Sequence, residues 1–350
     1  MVSLLPWHHH SWQRLIHRHR LGRLPHALLL VGAVGQGKGV LAHYFAQALL
    51  CRSLDSSGTP CGTCGGCRRF LAETHPDFLR IQPERETKAD SGDEEGAKEE
   101  SSGKTAIKGS RWIKVEQIRA LGEWISLRPH YGGRKVAILN PAEQMNSSAA
   151  NGLLKTLEEP PGDAVLILLT PAPTQLPITI RSRCQTVILP PVSPAQGVPW
   201  LLAQGVADPA LATLAFNLAE GAPLAALELA KGDVLSRRRA LFGELEGVVS
   251  GRLSPLAVAQ NWIPLLAETL ALQWSWLADM IRLLSAPGTR AVVNTDLADG
   301  LARLARQLGL ERLYGLLDRV TEARRLVQGS SNPNPQLLLE DLLIPWRGQG

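Results

Sequence analysis

No apolar run in these 350 residues is long enough to cross a bilayer, and the first twenty, MVSLLPWHHHSWQRLIHRHR, lack the charged, apolar, small-residue order of a signal peptide. The chain therefore reads as soluble and cytoplasmic, with no membrane partner. Charged residues are slightly scarce at 20%, and no internal repeat is apparent. Nothing in the sequence shows the paired carboxylates that a two-metal polymerase site would need.

The hydrophobic fraction, 45%, is that of a globular protein, and the length suggests two or three domains. A formal net charge of +5 and a pI near 9.1 permit contact with nucleic acid without demonstrating it. The basic residues are spread thinly: Arg14, Arg18, Arg20 and Arg23 early, then Arg303, Arg306, Arg312, Arg319, Arg324 and Arg325. Solvated helix faces account for them at least as well as a DNA track.

Residues 32–39 read GAVGQGKG, seven of the eight positions of a phosphate-binding loop. HALLLV before it reads as a buried strand, and VLAHYFAQALLC after it has helical periodicity, which is the context the motif requires. In a working loop, backbone N–H groups cradle phosphates, the lysine reaches the terminal phosphates and a Ser or Thr hydroxyl binds magnesium. Gly32, Gly35, Gly37 and Lys38 keep the cradle, whereas Gly39 has no side chain to offer the metal. A helix N-terminus still attracts an anion. Weak or metal-free ATP or ADP binding and an inherited turn that holds nothing therefore stand side by side.

The same chemistry needs a carboxylate at the end of a neighbouring strand. KVAILN is that strand, and it ends in Asn140-Pro141 where an ATPase of this class carries Asp-Glu. Glu143 lies further on and would have to be repositioned to substitute. These losses point away from ATP hydrolysis. AVLILLT, 164–170, is a third buried strand, and the helical stretches IKVEQIRALGEWISL and SSAANGLLKTLEE lie between the strands. The alternation implies a parallel α/β sheet with helices on both faces.

Four of five cysteines fall together: Cys51, Cys61, Cys64 and Cys67. Two overlapping C-x-x-C steps and a fourth cysteine ten residues earlier suit a tetrahedral thiolate site for structural zinc. An iron–sulfur cluster competes, but position 71 is leucine where a further cysteine would be expected. The segment from about 84 to 108, ERETKADSGDEEGAKEESSGKTAIK, is polar, low in complexity and reads as a disordered insertion. His8, His9 and His10 have no partner at ligand spacing and read as N-terminal surface residues.

Beyond Pro190 and Pro191 the chain turns Ala- and Leu-rich and helical, with breaks near Gly232, Ser285 to Gly288, and Gly329 to Pro335. A small helical domain over about 190–234 and a larger one over 235–350 follow. Just before that change stands TIRSRCQ, 179–185. An arginine at a domain edge can serve a nucleotide held by a neighbour. A surface arginine paired with a carboxylate is the plainer account of the tripeptide alone. Cys184 reads as a small core residue.

Taken in order, PHALLLVGAVGQGKG, the cysteine cluster, HPDFLRI, IKVEQIRAL, NGLLKTLEEPP, SRC and NPNPQLLLEDLL resemble the bacterial clamp loader subunits, an AAA+ family. The likeness runs over essentially the whole chain and is weakest from about 195 to 325. It implies a RecA-like AAA+ domain over 1–189 with a zinc module at 51–67, a helical lid over 190–234 and a helical collar over 235–350 for assembly with other subunits. Such an assembly opens a sliding clamp and places it on primed DNA for DNA polymerase III, at the replisome. The losses resemble the stator member, which does not hydrolyse ATP and whose SRC arginine reaches the site of an adjacent gamma/tau motor; delta is a further partner. Carried over, the finger is Arg183, flanked by Ser182 and Cys184, and Cys51, Cys61, Cys64 and Cys67 hold Zn2+. Motor subunits share the cysteines, LLKTLEEPP and SRC; the loop and strand-end losses separate the two. An active AAA+ ATPase using Lys38 and Glu143 is the competing enzyme reading, and a zinc-stabilised DNA-binding protein is the third.

Overall fold

The computed structural model describes residues 3–84, 112–286, 292–328 and 333–347. The expected polar insertion, from Arg85 on, lies outside the described residues. The chain forms two compact units, Met1–Pro191 and Val192–Gly350.

The first unit is a five-stranded parallel sheet: β1 Ala27–Val31, β2 Phe78–Ile81, β3 Lys135–Leu139, β4 Ala164–Thr170 and β5 Gln185–Ile188, in the order β2-β3-β4-β1-β5. Among the described residues six helices accompany it: α1 His9–Arg20, α2 Lys38–Leu50, α3 Gly65–Leu71, α4 Val115–Ser126, α5 Ser147–Glu158 and the short α6 Ile178–Arg181. The central strands are apolar at nearly every position because both sheet faces are covered. Alternation then divides their side chains between two cores. Leu28, Leu30, Val136, Ile138, Val165 and Ile167 meet Trp12, Leu15, Leu41 and Phe45 of α1 and α2. Leu29, Ala137, Leu139, Leu166 and Leu168 meet Ile118, Leu121, Leu153 and Leu157 of α4 and α5. Each buried Val, Leu, Ile or Phe among these contributes about 1.5–3 kcal/mol. This is the parallel α/β sheet covered by helices on both faces that the alternation of strands and helices implied.

Asn146 starts α5 by accepting a hydrogen bond from the Ala149 amide at 2.7 Å, and the helix stops before Pro160. His26 at the mouth of β1 lies 3.0 Å from the Leu157 carbonyl, which ties the end of α5 to the base of the sheet.

The second unit is helical. Prolines at 194, 209, 223, 255 and 335 each open a helix at a first-turn position, where the missing N–H costs nothing. Its core gathers Trp262, Trp276 and Trp346 with Leu245, Val248, Leu301, Leu313 and Leu339. Arg238, 1% exposed, is compensated by Asp296 at 2.9 and 3.1 Å and by Asn294 at 2.6 Å. Among the described residues no helix is long and apolar enough to cross a membrane.

Candidate functional site

The glycine loop joins β1 to α2 at the C-terminal edge of the sheet. Gly35 and Gly37 turn the chain at φ +78° and +91°. A side chain at Gly37 would also meet Leu5 at 2.6 Å and His8 at 2.9 Å, so glycine is required there twice over. At Gly39 the opposite holds: nothing lies within 4 Å of where a Cβ would stand. The missing hydroxyl is thus a chemical loss with no steric cause.

Lys38 does not extend outwards. Lys38 is 8% exposed, and its ammonium donates to the loop's own carbonyls, Gly32 at 2.7 Å and Ala33 at 2.8 Å. Burial holds its pKa below the ordinary ammonium value, while the Glu143 carboxylate pulls the other way. Gln36, 3% exposed, braces the loop: its Oε1 accepts from the Ala33 amide at 3.0 Å, and its amide group donates to the Pro190 carbonyl. The Gln36 carbonyl accepts from the Trp7 indole at 2.9 Å and lies 3.1 Å from His8 Nε2. His8 is 1% exposed, which corrects its reading as a surface residue; His9 and His10 are exposed as expected. At the end of β3, Asn140 and Pro141 supply no charge beside this loop.

Ser182, Arg183 and Cys184 form the turn from α6 into β5. Arg183 donates to the Glu158 carboxylate at 2.7 Å and to the Thr179 carbonyl at 3.0 Å, with Ser182 Oγ at 3.5 Å. Cys184 lies in the sheet core, and burial pushes its thiol up to about 11. Because β5 runs parallel to β1 with Gln185 opposite Leu28 and Ile188 opposite Val31, Arg183 lies at the strands' N-terminal end. The glycine loop is at the other end, about 15 Å away along the sheet at about 3.3 Å per residue. Arg183 and Lys38 do not share a site within this chain.

The cysteines do come together. Cys51 closes α2, Cys64 caps α3 and Cys67 sits in its first turn. The four sulfurs all lie within 4.8 Å of one another, with Cys51–Cys61 at 3.6 Å, Cys51–Cys64 at 3.9 Å and Cys61–Cys67 at 4.0 Å. Tetrahedral zinc with bonds of about 2.3 Å puts its sulfurs about 3.8 Å apart, so the donor set fits one ion. Amides of Ser53, Cys61, Cys64 and Cys67 point at sulfurs at 3.4 Å. The amides of Cys64 and Thr63 bring the Cys61 thiol down to about 6, whereas burial pushes the Cys51 and Cys67 thiols up, so those two protons leave only in exchange for a metal.

Residues 7–193 match the family described as DNA polymerase III, delta subunit, and residues 232–348 match DNA polymerase III, delta subunit, C terminal. DNA polymerase III subunit delta' of Pseudomonas aeruginosa is 32% identical over 351 residues, covering 99% of this chain and 98% of that protein. The chain belongs to the DNA polymerase III delta' clamp loader family. The Escherichia coli delta' subunit is 31% identical, covering 97% of this chain and 94% of its own. The Escherichia coli tau subunit is 32% identical over 164 residues, 47% of this chain and 21% of tau.

Within this delta'-type framework the sequence reading missed three participants: Gln36, the Trp7–His8 pair and Glu158. Gln36 occupies a variable position of the loop motif, and its bond to Pro190 spans 154 residues. Glu158 was legible only as part of NGLLKTLEEPP. No local signal marks Gln36 or the Trp7–His8 pair.

Proposed function

We propose that the chain is the non-hydrolysing stator of the clamp loader, and that it lends Arg183 in trans to the ATP site of a neighbouring gamma/tau motor subunit. The observation that carries this reading is the separation of Arg183 from its own glycine loop by the length of the sheet. An arginine there cannot assist phosphates held by its own chain, but it is exposed enough, at 36%, to meet those of another. Gly39 and Asn140-Pro141 deny this chain the magnesium ligand and the water-orienting carboxylate, so it supplies one half of a composite site. ATP held by the neighbour would favour the closed interface, and hydrolysis would loosen it.

In this reading residues 190–234 are a lid and 235–350 a collar through which the chain assembles with the motor subunits and delta. The clamp and primed DNA are reached through that assembly, at the replisome. Zinc at Cys51, Cys61, Cys64 and Cys67 is structural: with all four positions filled by thiolates, the ion has no open coordination site for chemistry.

The test is ATP hydrolysis by this chain alone, and by the assembly with motor subunits and delta, carrying wild type or Arg183→Ala. Silence of the isolated chain, with lower turnover at the neighbouring site in an intact Arg183→Ala assembly, is expected. Unchanged turnover in that assembly would remove the finger. A second reading, residual hydrolysis in cis, is favoured by one observation: the Glu143 carboxylate acts on Lys38, and its Oε2 is buried with no partner. Magnesium-dependent turnover by the isolated chain, abolished by Lys38→Ala, would establish it.

A further inference from the structure

Basic residues that lie far apart in the sequence are gathered by the fold. No acidic residue precedes Asp55, so α1, the glycine loop and α2 carry cations only. Beside the cysteine cluster is a cavity of about 360 Å³, walled by Arg52 after α2, by His75 and Asp77 before β2, and by Tyr131, Gly132, Gly133 and Arg134 before β3. Arg20 of α1 fastens the basic helix to the same module by donating to the Asp55 and Ser56 carbonyls at 3.0 and 2.7 Å.

The one carboxylate lining this cavity among the described residues is already committed. Asp77, 2% exposed, accepts from the amides of His130 at 2.9 Å and Tyr131 at 3.3 Å, and faces His130 Nδ1 at 3.6 Å and the buried Lys135 ammonium at 3.9 Å. Arg52 and Arg134 have no carboxylate partner among the described residues. Arg69 lies 4.3 Å from the Tyr131 ring centroid and Arg52 5.5 Å from it, and the tyrosine remains 39% exposed. Gly132 and Gly133 leave open space where side chains would stand, so a ligand can approach the backbone closely.

Guanidinium groups with no carboxylate partner select phosphate by charge and by paired N–H donors. Planar arginine and tyrosine side chains offer stacking surfaces for bases. We propose that this cavity binds the phosphodiester backbone of single-stranded nucleic acid, with Arg52 and Arg134 on phosphates and the Tyr131–Arg69 stack beneath an adjacent base. An acidic peptide would use the arginines but leave the stack idle. A zinc-loaded four-thiolate cluster is itself anionic, and Arg52 adjoins Cys51; Arg134 belongs to a segment without cysteine, so its variant isolates the phosphate role.

The full zinc-loaded chain is titrated into fluorescein-labelled oligodeoxythymidine of about 20 nucleotides over a range of salt, followed by anisotropy. Wild type should bind with a linear fall of log K against log salt. The Arg52→Ala/Arg134→Ala pair should weaken binding about tenfold at low salt and reduce that slope by about 1.4, with Arg134→Ala alone giving about half the change in slope. Zinc content and melting temperature identify variants that remain folded, and a glutamine pair replaces the alanines if they do not. Unchanged affinity and slope in folded variants would overturn the site. Displacement of the oligonucleotide by polyglutamate at equal charge concentration would overturn its assignment to nucleic acid.

Discussion

The Arg183 guanidinium is held at 2.7 Å by Glu158 and at 3.0 Å by the Thr179 carbonyl, so the side chain rests in a fixed pose against the end of α5. Both partners are substantially exposed, at 36% and 50%, and a pair of this kind contributes only about 0–1 kcal/mol. It is strong enough to orient the arginine and weak enough to yield to a phosphate. Glu158→Ala should therefore lower turnover at the neighbouring motor site about two- to fivefold, with the KM for ATP unchanged. Adding Glu158→Ala to Arg183→Ala should cost nothing further. An additional loss in the double variant would show that Glu158 acts by some route other than Arg183.

Gly39 makes a separate prediction. Nothing lies within 4 Å of where a Cβ at Gly39 would stand, and a glycine inside a helix costs roughly 0.5–1 kcal/mol relative to alanine. The Gly39→Thr variant should be as stable as wild type or up to about 0.5 kcal/mol more so in chemical denaturation. It should still fail to hydrolyse ATP, because Asn140-Pro141 leaves the metal without the strand-end carboxylate that the chemistry needs. Magnesium-dependent turnover on this single change would mean that Glu143 already fills that role.

The cysteine cluster predicts one zinc per chain by metal analysis, with Cys67 the least replaceable ligand because it is fully buried. Cys67→Ser should lose the metal and destabilise the first unit by more than about 4 kcal/mol, the scale on which lost metal sites stand out from ordinary substitutions. Chelation of wild type should lower the melting temperature in the same direction. A zinc-free chain that melts like the loaded one would reduce the cluster to a coincidence of spacing.

Much of this was legible in the sequence because it is written locally. β1, β3 and β4 are runs of consecutive buried apolar residues, the glycine loop lies between a strand and a helix, and the four cysteines fall within 17 residues. The edge strands β2, FLRI, and β5, QTVI, escaped the reading of residue patterns. At the sheet's margins each is four residues long and buries only its Ile81 or Val187, so neither carries the apolar run that marks a central strand. The brace on the glycine loop was illegible for a different reason. Gln36 works through Pro190 and Trp7, contacts that exist only after the sheet has formed. The triple histidine likewise has no local feature separating the buried His8 from the exposed His9 and His10.

His8 also gives the first unit a pH dependence with a definite sign. Burial holds its pKa at about 4 against an ordinary 6.5, and the hydrogen bond to the Gln36 carbonyl only partly opposes this. His19, His43 and His75 are lowered as well, each chiefly by burial. Between pH 6.5 and 4 the unfolded chain binds a proton at position 8 that the folded chain refuses. The stability contributed by a neutral His8 is therefore fully present above pH 6.5 and is lost as pH falls towards 4. The loss from His8 alone is roughly 2–3 kcal/mol across that window. His8→Gln removes the titration and keeps a side-chain donor for the Gln36 carbonyl, so its unfolding free energy should fall less steeply from pH 6.5 to 4 than wild type. Equal slopes, measured by urea unfolding with zinc held saturating, would mean that His8 opens to solvent and titrates normally in the folded chain.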